Sequence, residues 1–242
     1  MIELLNNKKI LFIGAHLDDI EIGAGGLISM LDNNENFAFV VSSGHSSHAG
    51  SHYKLRQDVF FKNMNECNFS KENTRILIDE PIDTCFRFDE NFQKIRRVVG
   101  LWLPEINPDV IVMNSKDNHT DHLLLNQIIK EIYRPINREK PRMILEYQTP
   151  PSMIYDYSSE DYNCIIGFDS DIMLKKFSML QRYPIPSLND IRDIEYIKKI
   201  NEVNGMLSYG ENNFAEKFKL TIFSWSKMDY NDIIKKHEKE NE

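Results

Sequence analysis

The sequence predicts an α/β fold: a mainly parallel sheet flanked by helices, with an elaborated C-terminal third. Three observations carry that reading. Through the first 150 residues, apolar runs of strand length alternate with longer segments of helical spacing. That order builds βαβ units and covers both faces of a parallel sheet. The chain is 41% hydrophobic and 27% charged, with Gly and Pro too sparse for disorder, which is the composition of a globular protein. Its 242 residues are enough for one full core.

The elements follow in order. KILFIG (9–14), FAFVVS (37–42), RILI (75–78) and DVIVM (109–113) read as buried strands, and EYQTP around Tyr147 adds another. Segments 23–33, 54–68 and 89–103 carry apolar residues three and four apart, as at Ile95, Val98, Val99 and Leu103, and read as helices. Beyond residue 150 the rhythm loosens. PPSMIYDYSSEDYN is rich in tyrosine and turn formers, and the two prolines of YPIPSLND (183–190) exclude regular structure there. Met173, Leu174, Phe177 and Leu180 mark a helix face against the core. Helical spacing returns at 191–207, KLTIFSW (219–225) reads as a last strand, and DIIKKHEKENE as a solvated tail. With no repeat and no linker, one domain over 1–242 is expected, its core in 1–150 and its pocket completed by 151–242.

Charge and cysteine content narrow the function. With 29 basic and 37 acidic residues the net charge is −8, which argues against nucleic acid or an anionic membrane as partner. Cys67, Cys85 and Cys164 are odd in number and widely separated, so neither a disulfide framework nor a thiolate zinc site is suggested. No basic leader with a long apolar run opens the chain, and no stretch approaches the roughly 18 apolar residues of a membrane span. A cytoplasmic protein without a membrane span is expected, and a homo-oligomer is left open.

Two polar clusters follow strands. His16, Asp18 and Asp19 lie in GAHLDDIEIGAGG directly after the first strand; Asn118, His119, Asp121 and His122 follow the strand at 109–113. In an open α/β sheet both fall at the rim beyond the carboxyl ends of the strands, where sites form. Imidazole and carboxylate suit Zn²⁺, whose catalytic sites use three protein ligands and an open water position. With His122 in the first turn of DHLLLNQIIKEIY, the residues His16, Asp19 and His122 make such a set. Asp18 diverges from Asp19 by roughly 100° if helical, which places it to act as general base on the water.

Each cluster has a plainer reading. The Asp18–Asp19 pair suits a helix N-terminus, and Asp121 suits a helix cap. A dinucleotide site built on Gly14, Gly23, Gly25 and Gly26 is the weaker alternative, because eight residues separate Gly14 from Gly23 and the carboxylates between would repel pyrophosphate. In SGHSSHAGSH (43–52), His45, His48 and His52 lack an accompanying carboxylate, so a substrate-facing loop is favoured over a second metal site. Tyr147, Tyr155, Tyr157 and Tyr162 could line a sugar pocket or serve packing. Glu21 is open between a supporting residue of the site and a helix N-terminal charge.

The motifs together resemble a known family. AHLDDIEIGAGG is similar to the AHPDD motif of the LmbE-like, or PIG-L-like, zinc-dependent N-deacetylases, and NHTDH to their HxDH motif. Ile20 to Gly23 resemble the AHPDDxEIG subgroup, which includes deacetylases of bacillithiol synthesis. FDSDIMLKK (168–176) and NFAEKF (213–218) are looser likenesses, in the family's order. The resemblance implies a Rossmann-like fold and hydrolysis of an N-acetyl or other N-acyl group on an amino-sugar conjugate, a small-molecule substrate, with zinc as cofactor and iron as the alternative metal. It implies metal ligands at His16, Asp19 and His122 and a base at Asp18. His119 matches the histidine that stabilises the oxyanion, Asp121 the carboxylate that orients it, and Arg56 a substrate-hydroxyl contact, with His45 added from the loop reading. Three departures stand out. Leu17 replaces the motif's proline, Val59 stands at the glutamate of Arg-x-x-Glu with Asp58 beside it, and YPIPSLN replaces a Ser-Gln element. A catalytically silent sugar-binding member remains the alternative.

Overall fold

In the computed structural model the described residues are 2–43, 53–78, 89–117, 119–133, 141–149, 162–184, 194–208 and 213–222. His45, His48, His52, Asn118, Tyr155, Tyr157, Cys85 and the C-terminal tail lie outside them. The strands are β1 (Lys9–Gly14), β2 (Glu35–Ser42), β3 (Thr74–Ile78), β4 (Val110–Asn114), β5 (Met143–Tyr147), β6 (Cys164–Phe168) and β7 (Phe214–Ile222). The helices are α1 (Ile2–Leu5), α2 (Asp19–Ile28), α3 (Tyr53–Glu66), α4 (Asp89–Ile106), α5 (Thr120–Ile132), α6 (Ser170–Gln181) and α7 (Ile194–Met206).

All seven strands form one sheet in the order β3-β2-β1-β4-β5-β7-β6. From β3 to β5 every pairing is parallel, and β7 runs antiparallel to both of its neighbours. Successive residues of β1 serve opposite layers, as the strand pleat requires. Ile10 and Phe12 pack with α2 and α3, through Leu27, Phe60 and Met64. Leu11 and Ile13 pack with α4 and α5, through Ile95, Val99, Leu125 and Ile129. This is the mainly parallel, helix-flanked sheet that the alternation predicts. No helix among the described residues is long and apolar enough to cross a membrane.

Four elements depart from the sequence reading. α2 begins at Asp19 rather than at 23, so its first turn carries Asp19 and Glu21. β7 starts at Phe214, ahead of the expected 219, and its first half pairs with the unpredicted β6. Glu216 and Lys217 interrupt the apolar pattern there, and β6 is a short edge strand with alternating half-exposure. On α6 the buried residues are Met173, Lys176, Met179 and Leu180, whereas Leu174 is 63% exposed. Leu174 stands one residue, about 100°, off the stripe through Met173, Lys176 and Leu180, so its assignment to the core face is corrected.

The helix α2 explains the glycines of the first motif. A Cβ on Gly23 would lie 2.1 Å from Tyr147 Cδ2, and one on Gly26 would lie 2.5 Å from Phe168 Cε1. The rings of β5 and β6 thus rest on the helix backbone itself. The helix is also interrupted: Ala24 has φ −137° and ψ 19°. The interruption releases backbone donors, and Glu216 accepts them, from Gly26 N–H at 2.7 Å and Leu27 N–H at 2.9 Å. Lys176, wholly buried, donates to the same carboxylate at 2.6 Å.

Removing one partner from a buried ion pair costs far more than the pair contributes, because the other charge is stranded. Glu216→Ala is therefore expected to lower the unfolding free energy by about 3–5 kcal/mol, measured by urea denaturation. Lys176→Met should cost clearly less, since Glu216 keeps its two backbone donors.

Candidate active site

β1 and β4 are neighbours at the point where the strand order reverses, the position at which a crevice opens beyond the strand ends. Their ends are fastened together: Ala15 N–H donates to Asn114 Oδ1 at 2.9 Å. The segment after β1 turns sharply. Asp18 has φ 87°, left-handed backbone that aspartate tolerates better than most residues. Leu17 is fully buried in the core beneath the turn, so an apolar anchor stands where the family's proline would preset the chain. Arg56, from α3, donates to Leu17 O and to Asp18 Oδ2, both at 3.0 Å.

The second motif arrives from β4. His119 caps α5, and His122 lies in its first turn, as expected. His122 Nδ1 meets Asp117 Oδ2 at 2.7 Å, and Thr149 Oγ1 donates to the same oxygen at 2.5 Å. The other oxygen, Asp117 Oδ1, accepts from His119 N–H at 2.7 Å. One buried carboxylate thereby holds the ring of His122 and the backbone of His119. On the facing side, His16 Nε2 contacts Asp121 Oδ2 at 2.9 Å, and His16 N–H donates to Asp19 Oδ2 at 2.9 Å.

The histidines converge on Asp19. His16 Nδ1 is 3.7 Å and His122 Nε2 3.4 Å from Asp19 Oδ2. Each imidazole has a carboxylate on its far nitrogen, the support that fixes tautomer and raises ligand basicity in metal sites. That bond turns the near nitrogen toward Asp19. Among the described residues, buried His122 Nε2 has no hydrogen-bond partner, an orphaned ligand atom of the kind a cation would satisfy. His119 completes the group: ligand atoms of His16, His119 and His122 lie within 4.8 Å of one another. The donor set fits a divalent metal of the zinc or iron type.

The electrostatics have the same origin. Burial opposes a charged imidazole, but Asp19 and Asp117 on the two nitrogens overcome it and lift His122 to about 10. Burial would also raise Asp19, yet the charge of His122, with His16 behind it, holds its carboxyl well below the carboxylate range. His119 is lowered, first by burial and then by the neighbouring His122 and His16, which keeps it neutral near pH 7.

The structure thus brings together His16, Asp18, Asp19, Arg56, His119, Asp121 and His122. Asp121 N–H donates to His119 Nδ1 at 3.3 Å, while the Asp121 carboxylate lies 2.9 Å from His16 Nε2. Arg56 lies on Asp18; Asp58 is exposed and Val59 is buried in the core. Two residues escaped the sequence reading. Asp117 carried a usable signal, as a carboxylate just past the strand and five residues before His122; Thr149 carried none. Tyr147 is a packing residue whose hydroxyl donates to Ile13 O at 3.1 Å. Tyr162 donates to Ser115 Oγ, beside the end of β4, at 2.9 Å. Glu21 is wholly buried, and its Oε1 accepts from Tyr183 at 2.7 Å and from Asn63 at 3.0 Å.

Comparison with known proteins yields the following. The PIG-L family model, described as GlcNAc-PI de-N-acetylase, matches residues 11–133, a span that contains both motifs. No curated protein matches the chain in sequence. Among solved structures, the N,N'-diacetylchitobiose deacetylase of Pyrococcus horikoshii is 17% identical, with a TM-score of 0.67 over 89% of this chain and 85% of that one. A zinc-inhibited form of the teicoplanin deacetylase Orf2 is 12% identical, with a TM-score of 0.61 over 88% and 98%. GalB, the 4-carboxy-2-hydroxymuconate hydratase of Pseudomonas putida KT2440, is 13% identical, with a TM-score of 0.65 over 90% and 98%. At these identities the likeness is one of fold.

The site region also makes stability depend on pH. Burial pushes Glu21 up to about 7, against the opposing hydrogen bonds from Asn63 and Tyr183. Between about pH 4.5 and 7 the folded state holds a proton that the unfolded chain has released, so stability falls as pH rises through that window, by a few kcal/mol at most. Glu21→Gln should flatten this part of the slope in urea unfolding measured from about pH 4.5 to 8. An unchanged slope would assign the proton elsewhere.

Proposed function

We propose, from the premise that this chain belongs to the PIG-L family, described as GlcNAc-PI de-N-acetylase, that it is a metal-dependent hydrolase removing the N-acyl group of an amino-sugar conjugate. The observation that carries this reading is the pair of imidazoles, each backed by a carboxylate, converging on Asp19 beside Asp18. His16, Asp19 and His122 would hold the metal, zinc by their chemistry, with iron as the alternative. When bound, zinc lowers the pKa of water toward about 7 and polarises a carbonyl oxygen.

The protein's own groups supply the rest. Asp18, buried and directed by Arg56, accepts the proton of the attacking water. Because His119 Nδ1 accepts the Asp121 N–H, the neutral ring carries its hydrogen on Nε2. It can therefore donate to the oxyanion that forms on the acetamide oxygen. Asp18 then returns its proton to the leaving amine, a transfer that keeps acid and base work on one carboxylate. The expected substrates are N-acetylglucosamine conjugates, in line with the likeness of Ile20 to Gly23 to the bacillithiol-synthesis subgroup.

Two other readings fare worse. For a dinucleotide, the His16 N–H at the strand–helix junction is already taken by Asp19, and the Gly26 and Leu27 N–H groups, farther along α2, by Glu216. A silent binding member is disfavoured by the intact set of Asp18, His119 and the three ligands. The fold is shared with a hydratase, so the reaction must be decided by assay.

Zinc-loaded protein is expected to release acetate from N-acetylglucosamine conjugates. Asp18→Ala should keep its metal and lose activity by about 10²–10⁴-fold. Full activity in that variant would remove Asp18 from the role of base. Asp117→Asn should weaken zinc about 10–100-fold in competition with a chromophoric chelator, and His122→Ala more severely still.

A further inference from the structure

The end of α6 reaches the site through contacts that the proposed reaction does not use. Tyr183, just past that helix, is 6% exposed. Its ring centroid lies 5.6 Å from Arg56 Cζ, and its hydroxyl donates to Glu21 Oε1 at 2.7 Å. The same oxygen accepts from Asn63 Nδ2 at 3.0 Å, and Asn63 Oδ1 accepts from Arg182 at 2.9 Å. Arg56 is therefore held on two sides. Its Nη2 donates to Leu17 O and Asp18 Oδ2, and an aromatic ring lies against its guanidinium. Arg56 Nε is buried without a hydrogen-bond partner, so it does not anchor the side chain by itself.

We infer that Tyr183, through its ring packed on the guanidinium, is a positioning residue that holds Arg56 on Asp18. An arginine has many rotamers, and a cation seated on a desolvated ring loses few contacts by staying there. Asp18 sits in left-handed backbone, and Arg56 ties both its carboxylate and the preceding carbonyl. Moving the guanidinium therefore turns the carboxylate away from the water it is to deprotonate. Tyr183 stands in the YPIPSLN stretch, where the sequence leaves the family's Ser-Gln element. The inference rests on the proposed role of Asp18.

The test is a double-mutant cycle of Tyr183→Leu and Arg56→Met, with Tyr183→Phe as the conservative variant, read in kcat, KM and urea unfolding. Tyr183→Leu should lower kcat about tenfold, the scale of a desolvated cation–π contact, with KM changed by less than about twofold. Tyr183→Phe, which keeps the ring, should recover most of that loss. In the Arg56→Met background, Tyr183→Leu should cost no further kcat. Independent, multiplying losses, or a Phe variant as damaged as the Leu variant, would overturn the inference. If the wild-type protein with zinc releases no acetate from any conjugate, the proposed function fails, and the cycle is read in stability alone. Positioning then stands if Tyr183→Leu destabilises more with Arg56 present than in the Arg56→Met background, and falls if the cost is the same in both.

Discussion

Four aspartates, Asp18, Asp19, Asp117 and Asp121, are buried at one end of one sheet, and the site is organised by the need to compensate them. A buried carboxylate without a partner costs several kcal/mol, so each one recruits a donor from a different element. Arg56 comes from α3 to Asp18, Thr149 from beyond β5 to Asp117, His16 to Asp121, and His122 to both Asp19 and Asp117. The imidazoles can be neutral or charged, so the compensation is adjustable. The raised His122 and lowered Asp19 are the two halves of one adjustment. A divalent cation between His16, Asp19 and His122 would supply the positive charge permanently.

A second constraint lies behind the first. The turn carrying His16 to Asp19 must sit close to β4, and α2 must leave it without colliding with β5 and β6. Gly23 and Gly26 permit ring-on-backbone contact with Tyr147 and Phe168, and the interruption at Ala24 bends the helix to follow the sheet. The donors released by that bend need an acceptor, and Glu216 supplies it from β7 with Lys176 as counter-charge. The NFAEKF segment thus stabilises the first motif from the far end of the chain.

Legibility in the sequence follows from which forces leave a local pattern. The five parallel strands are legible because each reads as an apolar run, even β3, whose middle residues are half-buried at the sheet edge, and His16, Asp19 and His122 because they follow such runs. β6 and the start of β7 are not: one is a short strand of alternating half-exposure, and the other hides its burial behind Lys217 and Glu216, the latter with partners on α6 and α2. Leu174 was misplaced because a buried lysine, not a leucine, occupies the stripe. Asp117 was overlooked among neighbouring polar residues, although its position after β4 marks it, and Thr149 meets it only through the sheet. The carboxylate of Asp121 bonds His16 across the crevice rather than its near neighbour His119, a choice that spacing along the chain does not encode.

The backbone alone does not decide the reaction, since a hydratase and deacetylases share it at similar TM-scores. What distinguishes one chemistry from another must be the state of the groups around the crevice. Here His119 is neutral, with its Nδ1 committed to a backbone donor, and presents a hydrogen rather than a lone pair. Asp18 is pinned by an arginine and has a carboxylate's capacity to accept. A ring that can donate and a carboxylate that can accept are the two capacities that the proposed acyl transfer to water requires. Each depends on a further partner, Asp121 N–H on His119 and Arg56 on Asp18. The state of the two groups is therefore set by contacts drawn from the second motif and from α3, which the backbone fold shared with the hydratase does not dictate.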